Sequence, residues 1–196
     1  MADSHCADCG KILSRFGSVH LGSADEGYRE LCLACYNAAV AAHCGVNFQH
    51  ADFEPISLAD VDGLAHHFEF AYTLLGDRVE LSAHEISDDP NGGYEFSVLS
   101  LDPEGEPLQL FRQLFEKMRR ALSQKHLREH ERYGTQIAES GIVRGSVGCD
   151  MDIVDVRVPM LMIDGKPISW ERFGEMLMTY EGFSFKLEVF DRTDER

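Results

Sequence analysis

The sequence predicts an α+β protein: a small cysteine-bound module followed by a mainly antiparallel sheet, in the body order βββαββαβ, with helices packed on one face of the sheet. Three observations carry this. Residues 66–75, "HHFEFAYTLL", alternate strictly, with Phe68, Phe70, Tyr72 and Leu74 on one side and His67, Glu69, Ala71 and Thr73 on the other, the signature of a half-buried strand. Leu108, Phe111, Leu114, Phe115, Met118 and Leu122 recur at helical spacing and lay an apolar stripe for that sheet. Two Cys-x-x-Cys pairs, Cys6/Cys9 and Cys32/Cys35, stand apart from both at the N-terminal end. Strands grouped with strands, and helices set between groups, indicate α+β rather than a parallel βαβ plan.

The elements follow in order. Residues 1–45 form the cysteine module, 46–55 a connector, 56–191 the body and 192–196 a polar tail. Within the module "HCADCG" is a tight turn closed by Gly10, "SRFGSVHLGSADEGYREL" suits a hairpin, and "LCLACYNAAVAAH" leads into an alanine-rich helix. In the body, "GD" turns the first strand into "RVELSAHEI", and "DDPNGG" turns that into "YEFSVLSL". Pro107 opens a long helix expected to reach about His130. "GIVRGSVGCDM" and "VPMLMIDG" read as strands, with "DGK" as a turn. "ISWERFGEMLMTYEG" has a cap in Ser169, a staple in Ile168 and Phe173, and a stop in Gly182. Trp170, Phe173, Leu177 and Tyr180 are expected to face the core, and "FSFKLEVF" to close the sheet with Phe183, Phe185, Leu187 and Val189 inward.

The four paired cysteines point to metal. A Cys-x-x-Cys turn sets two sulfurs on one edge of a tetrahedron and leaves backbone N–H groups free to donate to them, and two such turns complete the shell of one Zn²⁺. The succession of knuckle, hairpin and two further ligands at a helix start resembles a treble-clef zinc finger over about forty residues. That resemblance implies Cys6, Cys9, Cys32 and Cys35 as ligands of a single structural zinc. Rubredoxin-type iron uses a similar shell and spacing alone does not separate the two. A thioredoxin-like redox site would need one pair within an αβ unit, which the first pair lacks. His5 and His43 read as bystanders, and Cys44 and Cys149 as small buried residues.

Composition narrows the function. Thirty-four acidic against eighteen basic residues in 196 give a net charge of −16, which repels polyanions and disfavours nucleic acid as a partner. No apolar run is long enough to span a bilayer and the N-terminus has no signal-peptide pattern, so no membrane association is expected. Unexported cysteine pairs belong to a reducing compartment, and the chain reads as a cytoplasmic, bacterial-type protein.

Two clusters in the body raise further possibilities. His67, His84 and Glu85 fall on adjacent strands and are the candidates for acid/base chemistry if the chain is an enzyme with a site between sheet and long helix. Arg112, Lys117, Arg119, Arg120, Lys125, Arg128 and Arg132 place seven of the eighteen basic residues within twenty-one positions. Of these, Arg112, Arg119, Arg120, Lys125 and Arg128 are the candidates for contact with a protein partner, or with nucleic acid if they line one stripe. His126 and His130, four apart on the expected helix, could share a metal with Glu129 or Glu131 nearby, but no third ligand completes the site and a solvated last helical turn is the favoured reading. No phosphate loop, G-x-S-x-G elbow or H-E-x-x-H occurs, which disfavours the common enzyme classes.

Residues 163–188, running from an "IDG" turn through a "WERFGEML" helix to "FSFKLE", resemble the C-terminal signature of a family of uncharacterised bacterial proteins, a likeness that extends back over residues 56–191. It implies a recurring domain and no activity. The sequence thus favours a zinc-binding protein that acts as an adaptor by binding another protein, rather than an enzyme. It is silent on oligomeric state.

Overall fold

The computed structural model describes residues 4–23, 27–89, 92–149 and 158–191. The tail from 192, the hairpin tip at 24–26 and the end of "GIVRGSVGCDM" at 150–151 lie outside them. The fold is α+β, and among the described residues every strand pairing is antiparallel.

The N-terminal unit is a hairpin of β1 (Ser18–Ser23) and β2 (Gly27–Cys32) followed by α1 (Leu33–Cys44), which Gly45 ends in a left-handed conformation. The central unit is a four-stranded sheet in the order β3 (Ile56–Ala59), β4 (Ala65–Leu75), β5 (Arg78–Glu85), β6 (Glu95–Ser100). One face carries α2 (Pro107–Leu122). Leu110, Leu114, Met118 and Leu122 from the helix meet Phe68, Tyr72, Leu81 and Phe96 from the sheet in the largest apolar core. Phe68, Phe70 and Tyr72 of the expected β4 face and Phe111, Leu114, Met118 and Leu122 of the expected stripe join this core; Leu110, outside that stripe, joins it too, while Leu108 is exposed.

The last unit contains two small sheets. β7 (Leu127–His130) pairs with β8 (Gly134–Ile137), and β10 (Pro159–Ile163) lies between β9 (Ser146–Cys149) and β11 (Lys166–Ser169). α3 (Trp170–Met178) closes it, capped by Ser169, whose hydroxyl accepts from the Arg172 N–H. Leu127, Ile137, Ile163, Ile168 and Met176 form a separate core.

Four differences from the sequence expectation have physical causes. β3, β8 and β11 are additional strands, each too short to show a period. α2 ends at Leu122 rather than near His130, because the apolar spacing lapses there and both carboxylate-facing N–H groups at the start of β7 are held by another turn: Asp164 Oδ2 accepts from His126 N and Leu127 N, each at 2.7 Å. "KHLREHE" is therefore largely strand, and His126 and His130 do not share a helix face. In α3, Phe173 and Tyr180 pack on the core while Trp170 and Leu177 point outward; the helix stops at Thr179, before Gly182. Residues 183–190 pair with none of the described strands, and Phe183, Phe185, Leu187 and Val189 are exposed rather than inward. An alternating pattern makes a face, but a strand also needs a neighbouring edge to bond.

The side chain of Asn37 bonds the cysteine module to the edge of the central sheet. His67 O accepts from Ile86 N, so odd residues of β4 bond toward β5 and even ones face the other edge, where β3 covers only residues 65–68. Beyond β3, Asn37 of α1 takes the open stretch: its Nδ2 donates to Tyr72 O at 2.6 Å and its Oδ1 accepts from Leu74 N at 2.8 Å. The second Nδ2 hydrogen goes to His50 Nδ1 at 2.8 Å, which accepts because an amide nitrogen only donates. Asn37 is fully buried, with its amide satisfied on all three sides. The connector packs too, Phe48 and Phe53 lying against Tyr72.

Replacing Asn37 by Ala strands a buried N–H and a buried C=O on β4. The expected loss is about 3 kcal/mol, read as a lower midpoint in urea unfolding; an unchanged midpoint would show that the module is held elsewhere.

Candidate metal centre

The centre is assembled from three local structures. The knuckle is closed by Gly10 N donating to Cys6 O and Cys6 N donating to Lys11 O, both at 2.9 Å, with Gly10 at φ 73°. Ala7 N donates to Glu30 O at 2.9 Å and ties the knuckle to β2, the strand that delivers Cys32. Cys32 is the N-cap residue of α1, which places Cys35 in the first helical turn. Leu31 and Tyr36 pack around the sulfurs.

The four Sγ atoms of Cys6, Cys9, Cys32 and Cys35 lie within 4.8 Å of one another. Cys9 Sγ and Cys32 Sγ are 3.7 Å apart. A disulfide needs about 2.0 Å, whereas a tetrahedron with Zn–S bonds of about 2.3 Å has edges of roughly 3.8 Å. The donor set fits a four-coordinate soft-metal site. Its electrostatics ask for a cation: burial pushes the Cys32 and Cys35 thiols up, and the neighbouring sulfurs push Cys35 further. Backbone N–H groups of Cys32, Cys9 and Asp8 hold Cys6 down, to about 6. Several thiolates crowded together are unfavourable alone and favourable around a dication. The remaining cysteines, Cys44 and Cys149, are exposed, contrary to the expectation that they are buried.

The candidate acid/base residues do not converge. Register pairs Glu69 with His84 and Phe68 with Glu85, so the pleat puts His67 and His84 on one face and Glu85 on the other. His67 Nδ1 meets Ser57 Oγ, and His84 stacks on Phe16 of the module at 4.5 Å. Glu85 instead meets His66, Oε1 to Nδ1 at 2.6 Å, and His66 Nε2 lies 3.3 Å from Asp60 Oδ2. Asp60, fully buried in its side chain, bonds Lys125 Nζ at 2.6 Å and accepts from the N–H groups of Asp62 and Leu64. Sequence patterns missed Asp60, which belongs to no motif, although "ADVDG" between two apolar runs is a turn signal.

The basic residues are likewise dispersed. Arg112, Lys117, Arg119 and Arg120 lie on α2, while Arg128 lies on β7 and Lys125 between the two, so the expected single basic helix over 112–132 is not formed. Arg119 pairs with Glu116 and Arg128 with Glu139. An open cleft of about 550 Å³ is lined by Lys125, Arg128 and Lys166 together with Asp62, Glu129 and Glu139. Each of its three cations is matched by a carboxylate. Among the described residues no helix is long and apolar enough to cross a membrane.

Family profiles match the chain in three successive segments. Three domains of unknown function tile it. DUF7685 matches residues 5–47, DUF7686 residues 49–123 and DUF7713 residues 126–194. Each described apolar cluster falls within one segment: the sulfurs in the first, the sheet and α2 in the second, α3 and its small sheets in the third. The span 56–191, anticipated as one domain, is matched by two of these families of unknown function. No curated protein and no solved structure matches the chain.

Asp60 supplies a pH-dependent contribution. Lys125 beside it, and the N–H groups of its turn, hold its carboxyl well below the usual carboxylate range. A depressed native pKa stabilises the fold above the unfolded value of about 4 and the contribution is lost as pH falls toward the native one. Asp60→Asn is expected to unfold about 3 kcal/mol more easily at pH 7, with the difference from the parent shrinking between about pH 4 and pH 2. A difference constant with pH in denaturant titrations would exclude the ionised carboxylate as the cause.

Proposed function

We propose that this chain is a zinc-ordered binding protein, in which one structural Zn²⁺ on Cys6, Cys9, Cys32 and Cys35 holds a treble-clef-like module and the assembled surface docks a protein partner. The observation that carries the metal assignment is the set of four sulfurs within 4.8 Å of one another, supplied by a knuckle and a helix start. Bound there, zinc supplies folding free energy rather than Lewis-acid chemistry, since four thiolates fill the tetrahedron and leave no position for water or substrate. The module has few large apolar residues of its own, Leu31 being the fully buried one among the described residues, so its order depends on that cross-link.

The chain's own residues transmit the order outward. Cys32 and Cys35 hold the start of α1, and α1 carries Asn37 onto β4. A binding role is favoured over catalysis because Glu85 lies on the opposite sheet face from His67 and His84. A protein partner is favoured over nucleic acid because the net charge is −16 and the cleft's cations are already paired.

Elemental analysis of the purified protein is expected to give about one zinc per chain, absent from a Cys32→Ser, Cys35→Ser variant, with loss of helical circular dichroism and a lower unfolding midpoint. Iron in its place would redirect the assignment to electron transfer; no bound metal would overturn it. A partner retained by the parent and not by the variant would put the contact on the zinc-ordered surface.

A further inference from the structure

Residues 183–190, "FSFKLEVF", follow α3 in a form that leaves a complete apolar strand face in water. Phe183, Phe185, Leu187 and Val189 are 75, 89, 76 and 82 % exposed. The segment pairs with none of the described strands. Its start is held against α3, with Phe183 N donating to Tyr180 O and the two rings edge-on at 5.8 Å. α3 adds to the same exposed surface: Trp170, Leu177 and Met178 are 52, 45 and 65 % exposed and stand seven and eight positions apart on one helix face. An alternating aromatic and aliphatic segment with an open hydrogen-bonding edge is a docking element or an aggregation hazard.

The charges within the segment select what it docks. Lys186 and Glu188 flank Leu187 on the polar side and pair with each other at 2.5 Å. We propose that the segment pairs with a second copy of itself, antiparallel, about a two-fold axis through Leu187. In that register Lys186 of each copy lies opposite Glu188 of the other, twice by symmetry, while Phe185 faces Val189 and Leu187 faces its own copy. Centring the pair on Lys186 or on Glu188 instead opposes like charges, which is unfavourable across strands. Centring it between residues turns the apolar face of one copy against the polar face of the other. Only the Leu187 register matches both patterns, and it is the self-complementary arrangement that a two-fold interface requires. The segment itself carries one Lys and one Glu, so the acidic bulk of the protein is not concentrated where the copies meet.

A two-stranded ribbon is marginal in water on its own. The exposed Trp170, Leu177 and Met178 face of α3 supplies the cover. Gly174, whose added Cβ would meet nothing within 4 Å, leaves that helix face open between Trp170 and Leu177.

Sedimentation velocity of the full, metal-loaded protein across micromolar concentrations tests this. The parent is expected to be a dimer, Leu187→Asp a monomer, and Lys186→Glu or Glu188→Lys alone to weaken association roughly tenfold, since each places two like-charge pairs across the axis. The double variant Lys186→Glu, Glu188→Lys is expected to recover association to near the parent's. These positions are exposed, and unchanged circular dichroism would separate lost pairing from lost folding. A parent monomeric throughout, a dimer indifferent to Leu187→Asp, or a double variant as weak as the single ones would overturn the proposal.

Discussion

The Asn37 amide stands where the backbone of another strand would stand. It presents one acceptor and one donor to Leu74 N and Tyr72 O, the spacing a peptide group would offer, on the stretch of β4 that β3 is too short to cover. A buried edge left open would carry unpaired N–H and C=O groups at a cost comparable to several ordinary contacts. The amide removes that cost only when α1 lies along the strand, and α1 begins at two of the four clustered cysteines. Local order at the sulfurs and order in the sheet are therefore linked through the Asn37 amide, with the Phe16–His84 stack as a second contact.

Directed polar contacts also mark the other boundary. Asp164 and Gly165 form the two-residue turn between β10 and β11, with φ values of 50° and 71°, the left-handed pair that suits a tight hairpin. The Asp164 carboxylate accepts the first N–H groups of its own unit, from His126 and Leu127. Gly165 O accepts from Gly93 N at 2.7 Å, and an added Cβ at Gly165 would meet the Tyr94 ring at 3.0 Å. Asp60 works nearby, joining the β3–β4 turn to Lys125 just beyond α2. Small units with modest cores are held in register by buried polar side chains whose bonds have direction, which apolar contact alone lacks.

This explains which candidate groups are engaged. Glu85 is taken by His66, Lys125 by Asp60, and His84 by the ring of Phe16. Their chemistry serves attachment between elements. The surfaces left over are the sulfur cluster and the apolar face built from α3 and the segment after it.

Periodicity determined β4, the core face of α2 and the α+β class, because a period of two or of three to four residues reports which side chains must leave water whatever surrounds them. Spacing likewise marked Cys6, Cys9, Cys32 and Cys35, since two Cys-x-x-Cys turns each prearrange two sulfurs locally. Tertiary structure decided what local pattern does not encode: that helix α2 yields to a strand where Asp164 captures two N–H groups, that His66 rather than His67 reaches Glu85, and that "FSFKLEVF" finds no edge among the described strands of its own chain. A side chain's period is a property of the segment that carries it, whereas its hydrogen-bond partner is a property of whichever distant backbone the fold brings within 3 Å.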